Sequence, residues 1–243
     1  MFTCSFAWSA KPPLHRKPSS APTETLIQQA EDAWAHRDQP WQTESAITLW
    51  EQALQKEPGQ KGLYLRLTKA AGRAYRHSHT PKEREYWSQE ARDEGAQAVE
   101  KNPDNSDAYA LYGEALGQWA QAHKGIHSLG AVKSAVKNLD KAVSLNPKNA
   151  FAHMLLAQFY EQSPGWISVG DKKKALEHAK RAVEYGPGYA INHLTLAKIY
   201  LAHGQKDDAR KKLEATLALK PPSDAIPETR SDQETAQEML KKL

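Results

Sequence analysis

One short pattern recurs along this chain at intervals typical of helical repeats: an alanine, a larger residue, a second alanine and then a proline. Repetition at a period near 34 residues is the signature of a solenoid, in which each unit packs on its neighbours. The spacings between the closing prolines are 45, 44, 40 and 34 residues, and these prolines are Pro58, Pro103, Pro147, Pro187 and Pro221. This pattern constrains the fold more than any single motif does.

Small residues stand at fixed distances before each proline, where the two helices of a unit would cross. Counting back 12, 8 and 5 residues from Pro147 gives Ala135, Leu139 and Ala142. A compact bundle would share the helical period of 3.6, but it has no reason to keep these offsets from a proline. The same offsets in the other units give Ala46, Trp50, Ala53; Ala91, Gly95, Ala98; Ala175, Ala179, Ala182; and Ala209, Leu213, Thr216.

The first helix of a unit carries a second pattern, leucine, a small residue and then tyrosine, seen at Leu156, Ala157 and Tyr160 and repeated forty residues later. Together the two patterns are those of the tetratricopeptide repeat (TPR). Helix-forming residues dominate, and no segment alternates apolar and polar residues over a strand length. We predict an all-α TPR solenoid of about five helix hairpins over residues 22–243, with units at about 22–58, 62–103, 107–147, 150–187 and 190–221.

The end of the chain predicts one further amphipathic helix. Apolar residues at 236, 239, 240 and 243 follow the helical spacing, and Ser231 and Glu234 are spaced as a capping box. A solenoid exposes an apolar end unless something covers it. We therefore predict a C-terminal capping helix over about 228–243.

Charge excludes one class of function. The formal charge is +4, but three basic residues before the first acidic residue, Glu24, supply most of it, so that residues 22–243 carry about +1. Non-specific nucleic-acid binding depends on a basic surface. The body of the chain has no net excess from which to build one, and we expect no nucleic-acid partner.

Residues 1–21 differ from the rest. The apolar segment 1–10 is shorter than a secretory signal and lacks a basic start, and the proline-rich segment 11–22 is typical of a flexible tether. The segment is either a disordered tail or the remnant of an export signal, in which case Cys4 could carry a lipid. No stretch is long and apolar enough to span a membrane. We therefore expect no transmembrane segment.

Three of the proline spacings exceed the ideal repeat, and the extra residues can be placed in the third and fourth units. Extra residues fall around 119–133 and around 163–170, and each of these stretches contains a tryptophan, Trp119 and Trp166. Each indole either recognises a partner or packs its segment onto the solenoid. Asp171 is placed to cap the helix that follows.

The first helices should line the concave face, where repeat proteins commonly bind partners. We predict a protein-binding groove of mixed polar and apolar character, and the alternative is plain solvated surface. The predicted groove residues are Glu114, Gln118, Met154, Gln158, Leu194, Lys198 and Leu201.

Nothing in the chain predicts catalysis. It lacks a phosphate-binding glycine loop, a His-Glu-x-x-His motif and a nucleophile elbow. His77 and His79 have no Cys or acidic partner at a ligand spacing, and His153 and His193 are interpreted as packing residues. We expect no catalytic residue, no metal site and no cofactor.

Four segments carry a resemblance to a known family: the run WAQAHKGI at 119–126, the segment PGWISVGD at 164–171, the stretch 30–53 and the closing Ile226-Pro227-Glu228. They resemble the TPR component of bacterial TRAP-type transporters. The similarity to eukaryotic regulators of microtubule dynamics is looser. The transporter resemblance implies a periplasmic, non-enzymatic accessory protein that binds a solute-binding protein. The alternative is a general TPR adaptor, cytoplasmic and without a transporter link; the oligomeric state stays open.

Overall fold

A computed structural model describes residues 20–123, 126–163 and 170–243 of the chain. Within these ranges the chain forms eleven helices and no strand, which confirms the predicted all-α class. The helices are α1 (Thr23–Ala35), α2 (Gln42–Lys56), α3 (Lys61–Arg76), α4 (Pro81–Lys101), α5 (Ser106–Ala122), α6 (Ile126–Leu145), α7 (Ala150–Gln162), α8 (Lys172–Tyr185), α9 (Ala190–Ala202), α10 (Lys206–Ala218) and α11 (Ile226–Leu240).

The first ten helices form five hairpins, and α11 follows them. We call α1, α3, α5, α7 and α9 the A helices and their partners α2 to α10 the B helices. The A helices α3, α5, α7 and α9 pack on one another in turn, whereas the backbones of no two B helices come within 8 Å of each other in the described ranges. The A helices therefore form the inner, concave wall of a TPR solenoid.

The repeated small residues are buried where the helices cross. Close helix packing requires small side chains at these points, because a larger one would separate the two backbones. At Gly113 of α5, an added methyl carbon would lie 2.7 Å from Cγ of Leu139. The alanines of the pattern are all 0% exposed: Ala46, Ala53, Ala91, Ala98, Ala135, Ala142, Ala175, Ala179, Ala182 and Ala209.

Side-chain caps fix where several helices begin. Asn149 accepts a hydrogen bond from the backbone N–H of Ala152 at 2.9 Å, and Asn105 caps α5 in the same way. Asp171 accepts one from the N–H of Lys174 at 3.0 Å, as its position predicted. These acceptors satisfy backbone donors that have no partner within the helix.

Two buried histidines hold the turns that precede their helices. His153 donates from Nε2 to the carbonyl oxygen of Pro147 at 3.0 Å, and His193 makes the same bond to Pro187 at 2.9 Å. Because a carbonyl only accepts, Nε2 of each ring carries the proton. Both histidines are structural residues of the repeat, as interpreted from the sequence.

The structure corrects two local predictions. Helix α11 begins at Ile226 with Pro227 in its first turn, so Ser231 lies inside the helix and no side chain caps the end. Proline is favoured at this position, because a backbone N–H there would have no hydrogen-bond partner within the helix. Most of the extra residues around 119–133 lengthen α5 and α6 instead of forming a loop.

No helix in the described ranges is both long and apolar enough to cross a membrane.

Candidate functional site

The predicted groove residues all lie on the A helices α5, α7 and α9. On α5, Glu114 forms an ion pair with Arg76 of α3. Gln118 is buried and donates from Nε2 to the carbonyl oxygen of Gly72 at 3.3 Å and to Glu114 at 3.2 Å. These two side chains therefore tie α5 to α3.

The groove residues of α7 and α9 differ in exposure. Gln158 donates to the hydroxyl of Thr195 at 3.3 Å, Lys198 is exposed and Leu201 is half-buried. Contrary to the sequence-based expectation, Met154 and Leu194 do not line an open surface, because they are only 4% and 1% exposed. Both pack in the core, Leu194 in one cluster with Ala236 of α11. Of the predicted groove residues, Lys198 is therefore exposed, whereas Glu114, Gln158 and Leu201 are half-buried.

Helix α11 lies on the inner side of the solenoid. Its second half covers the last unit, where Ala236, Met239 and Leu240 pack with Leu194 and Leu213. Its middle places Asp232 beside Lys198 of α9 and Arg76 of α3, whose positive charges act on this carboxyl. Burial still raises the pKa of Asp232 to about 6. The helix therefore reaches from the last unit back towards the second.

The start of α11 closes the solenoid onto its first two units. Glu228 binds Arg37, in the α1–α2 turn, through two hydrogen bonds of 2.9 and 2.6 Å, and it also binds Nη1 of Arg73 on α3 at 2.8 Å. Arg37 also donates to the carbonyl oxygen of Asp224 at 2.7 Å, and Arg73 donates to that of Arg37 at 3.0 Å. We call Arg37, Arg73 and Glu228 the clasp.

The clasp is an ion pair in partly dehydrated surroundings. Both arginines are 6% exposed. Burial raises the pKa of Glu228. The hydrogen bonds and charge of Arg37, together with the charge of Arg73, lower this pKa by more, so that it lies below its usual value. Burial lowers the pKa of Arg73. A buried guanidinium without a carboxylate would be costly, so the two arginines depend on Glu228.

A cavity of about 570 Å³ opens beside the clasp. Trp41 at its rim is 61% exposed and has a left-handed backbone, with φ of 68°. That conformation costs a residue with a side chain roughly 1–2 kcal/mol, so the fold must hold it. The cavity is lined by Arg37, Asp38, Gln39, Pro40, Trp41, Thr43, Glu44, Arg73, Ala74, His77 and His79.

His77 and His79 thus line this cavity. Burial, and then the charge of Arg73, lowers the pKa of His77. Three or more potential ligands are needed for a stable metal site. The part of the chain that the structure describes contains no such group of His, Cys, Asp and Glu side chains.

Trp119 of the third unit and Trp166 of the fourth have different outcomes. Trp119 is half-buried on α5, where its indole donates to Gln89 of α4 at 3.0 Å. Its ring stacks on His123 at 4.3 Å, with the guanidinium of Arg92 above it at 4.8 Å. These contacts fasten α5 to α4. Trp166 lies outside the described residues, as does Cys4.

Sequence reasoning missed Arg37, Arg73, Glu228 and Trp41. The first three belong to a turn and two helices, and Arg37 and Glu228 are 191 residues apart. Repeat patterns describe neighbouring units, so they carry no signal for contacts between the ends of the stack. The one available clue was Trp41 itself, a large apolar residue directly after Pro40 in a turn.

Comparison with solved structures supports the fold. The chain is similar to a thermophilic TPR protein of Thermus thermophilus, with 18% identity, a TM-score of 0.68 and coverage of 89% of this chain and 99% of that one. It is also similar to MamA (41-end) of Desulfovibrio magneticus RS-1, with 15% identity, a TM-score of 0.53 and coverage of 90% of this chain and 99% of that one. Yeast Tom70 gives the same identity and TM-score, with coverage of 90% of this chain and 40% of that one. At these identities the likeness shows the fold alone.

Sequence families give a closer assignment. No curated protein matches the chain. A tetratricopeptide repeat model matches residues 167–226, and the model described as regulator of microtubule dynamics protein 1-3 matches residues 26–162. Because the second match covers more than half of the chain, this TPR protein belongs to the regulator of microtubule dynamics protein 1-3 family.

Proposed function

We propose that this chain is a non-enzymatic adaptor that binds a segment of a partner protein along the inner surface of its solenoid. The fold supports a binding role, because concave repeat surfaces commonly bind proteins. The binding residues would be those of the predicted groove that reach solvent, Lys198 and Leu201, with Glu114 and Gln158 beside them. The buried Met154 and Leu194 would support this surface from below.

One observation carries the proposal: the inner wall already holds a helix, α11, by a mixture of apolar and charged contacts. Helix-in-groove recognition uses the same kinds of contact. Among the B helices within the described ranges, only α10 also contacts α11, where this helix covers the end of the last unit. The inner wall is therefore the surface best suited to a helical partner.

Site-specific photo-crosslinking in living cells tests this proposal. A benzophenone amino acid replaces Lys198 on the inner wall or, as a matched control, the exposed Lys180 on the B helix α8. We expect a discrete protein adduct from position 198 and none of that mass from position 180. Equal adducts from both positions would contradict the proposal, and turnover in a hydrolase screen would contradict its non-enzymatic part.

The transporter resemblance supports a narrower version, an accessory protein that binds a periplasmic solute-binding protein. Periplasmic location is part of this version, and a cytoplasmic location belongs to the general adaptor. Cell fractionation, with sequencing of the mature N-terminus, separates the two. Native protein found only in the cytoplasm would rule out the transporter role.

The family match supports a different partner class. The family is named for the regulation of microtubule dynamics, and its model covers residues 26–162, which include the A helices α3 and α5. Co-sedimentation of the full chain with polymerised tubulin tests this version. Protein that stays in the supernatant at all tubulin concentrations would contradict it.

A further inference from the structure

We propose that Arg37 and Arg73 form a recognition site for one carboxylate of a partner segment, and that Glu228 occupies this site as an internal ligand. The inference rests on the proposed function, because it names the chemistry of the segment that the inner surface would bind. It also gives α11 a second role besides covering the last unit.

The geometry is that of a carboxylate receptor. Arg37 grips both oxygens of Glu228 through Nε and Nη2, the bidentate arrangement in which guanidinium recognises carboxylate best. Arg73 adds a third hydrogen bond from the second unit. The two arginines are 6% exposed, whereas the side chain of Glu228 is 34% exposed. The receptor is therefore built into the solenoid, and the carboxylate enters from the solvent side.

The receptor has binding capacity that Glu228 leaves unused. Nε of Arg73 is buried and has no hydrogen-bond partner. A buried donor without a partner costs about 1–3 kcal/mol. A ligand whose carboxylate sits slightly deeper, or which brings a second acceptor such as a backbone carbonyl, would satisfy this donor. Such a ligand has an energetic advantage over Glu228.

Apart from the clasp, few contacts hold the first half of α11 in place. Among the described helices, the backbone of α11 approaches only α9 and α10, so long side chains alone connect it to the first two units. Its first half buries one residue, Thr229, and its first turn lacks a side-chain cap. The apolar anchor, Ala236, lies in the second half. The clasp can therefore open while the end of the helix stays on the last unit.

The cavity beside the clasp indicates what accompanies the carboxylate. Trp41 offers an exposed indole at the rim, suited to an apolar side chain of the ligand. Asp38 and Glu44 also line the cavity and would repel a run of acidic residues. The site therefore selects a single glutamate or aspartate next to an apolar residue. The internal ligand has this composition in Ile226, Pro227 and Glu228.

Chemical rescue gives the first test. Glu228→Ala removes the internal carboxylate from the full chain, and Glu234→Ala removes an exposed one from the same helix as a control. We expect acetate to raise the melting temperature of Glu228→Ala relative to chloride at equal ionic strength. It should leave Glu234→Ala and the unchanged protein unaffected. An equal response of all three proteins would overturn the proposal.

Peptide binding gives a second test that does not depend on a truncated side chain. The variant is Glu228→Gln, which keeps the shape of the residue, and the probe is a fluorescent peptide of residues 222–235. By anisotropy, we expect the variant to bind the peptide at least about tenfold more tightly than the unchanged protein, since its own clasp no longer competes. A peptide with Gln in place of Glu228 should not bind. Equal affinity of both proteins, or of both peptides, would overturn the proposal.

The outcomes separate this inference from the proposed function. Crosslinking at position 198 that is insensitive to a competing excess of the peptide would leave the adaptor role in place and count against the carboxylate site. Specific, Glu-dependent peptide binding without any cellular crosslink would support the site and count against the adaptor role.

Discussion

At the scale of single residues, this solenoid depends on side chains that are small or that keep one protonation state. Gly113 faces Leu139 at the crossing of α5 and α6, where even a methyl group has no free space. His153 and His178 share a hydrogen bond of 2.8 Å between their Nδ1 atoms. Since Nε2 of His153 donates to Pro147, its Nδ1 accepts and that of His178 donates. Both features restrict substitution at positions that look ordinary in the sequence.

Gly113→Ala should lower the free energy of unfolding by about 1–2 kcal/mol. The added carbon would meet Leu139 at 2.7 Å and the carbonyl oxygen of Ala135 at 3.2 Å, and overpacking outweighs the gain in helix propensity. Gly130→Ala in α6 is the matched control, because a methyl group there meets nothing within 4 Å. It should stabilise by about 0.5–1 kcal/mol. Urea titration measures the free energy of unfolding of both variants, and a change of the same sign in both would contradict this prediction.

The histidine pair should make the protein less stable in mild acid. Burial, and then the charge of His153, lowers the pKa of His178 to about 4, and burial also lowers that of His153. The folded state therefore binds fewer protons than the unfolded state, so stability is complete above about pH 6.5 and falls below it. Between pH 7.5 and pH 5, the free energy of unfolding of His178→Phe should fall by about 1 kcal/mol less than that of the unchanged protein, allowing for solvent screening. Identical pH profiles in urea titration would contradict this.

At the scale of helices, the predictable parts are those that repeat. The offsets from each proline predicted the hairpins, because helix crossings demand small residues wherever they occur. The caps at Asn105, Asn149 and Asp171 were predictable for the same local reason. The start of α11 was not, since Ser231 and Glu234 have the spacing of a capping box while Pro227 sets an earlier start. Local signals compete, and only packing decides between them.

Three carboxyl groups lie close enough to interact on the B helices of the first two units: Glu51 of α2, and Glu90 and Glu94 of α4. Burial, with the charge of Glu90, raises the pKa of Glu51 and of Glu94 to about 7. The folded state therefore holds protons that the unfolded state releases near pH 4.5. The buried carboxyl groups therefore lower the free energy of unfolding as the pH rises from about 4.5 towards 7.

Glu94→Gln should therefore stabilise the protein at pH 8 by about 1 kcal/mol and change little at pH 4.5. The amide keeps the shape of the carboxyl group and cannot ionise, and Oε2 of Glu94 is buried without a hydrogen-bond partner. Glu100→Gln, at an exposed position of the same helix, is the control. Thermal unfolding across this pH range provides the measurement, and a stabilisation that does not grow with pH would contradict the assignment.

At the scale of the whole molecule, the stack is joined at its ends. Glu228 bridges the last element to Arg37 and Arg73 in the first two units, across 191 and 155 residues of sequence. Repeat patterns do not encode such a contact, because each unit repeats its contacts to neighbours and the joining of the ends depends on the accumulated curvature. The same closure explains why Leu194, expected in an open groove, is buried in one cluster with residues of α11.

Opening the clasp should loosen one half of α11 and leave the other in place. In Glu228→Gln, the loss of the charged hydrogen bonds should speed amide hydrogen exchange at 226–231 by roughly tenfold, equivalent to about 1.4 kcal/mol of local stability. Exchange at 236–240 should stay unchanged, because Ala236 packs with Leu194, Ala197 and Leu213. Glu238→Gln, on the exposed side of the same helix, should leave both halves unchanged. Equal acceleration along all of α11 would mean that the helix docks as one unit, and the clasp could not then open independently of the apolar cap.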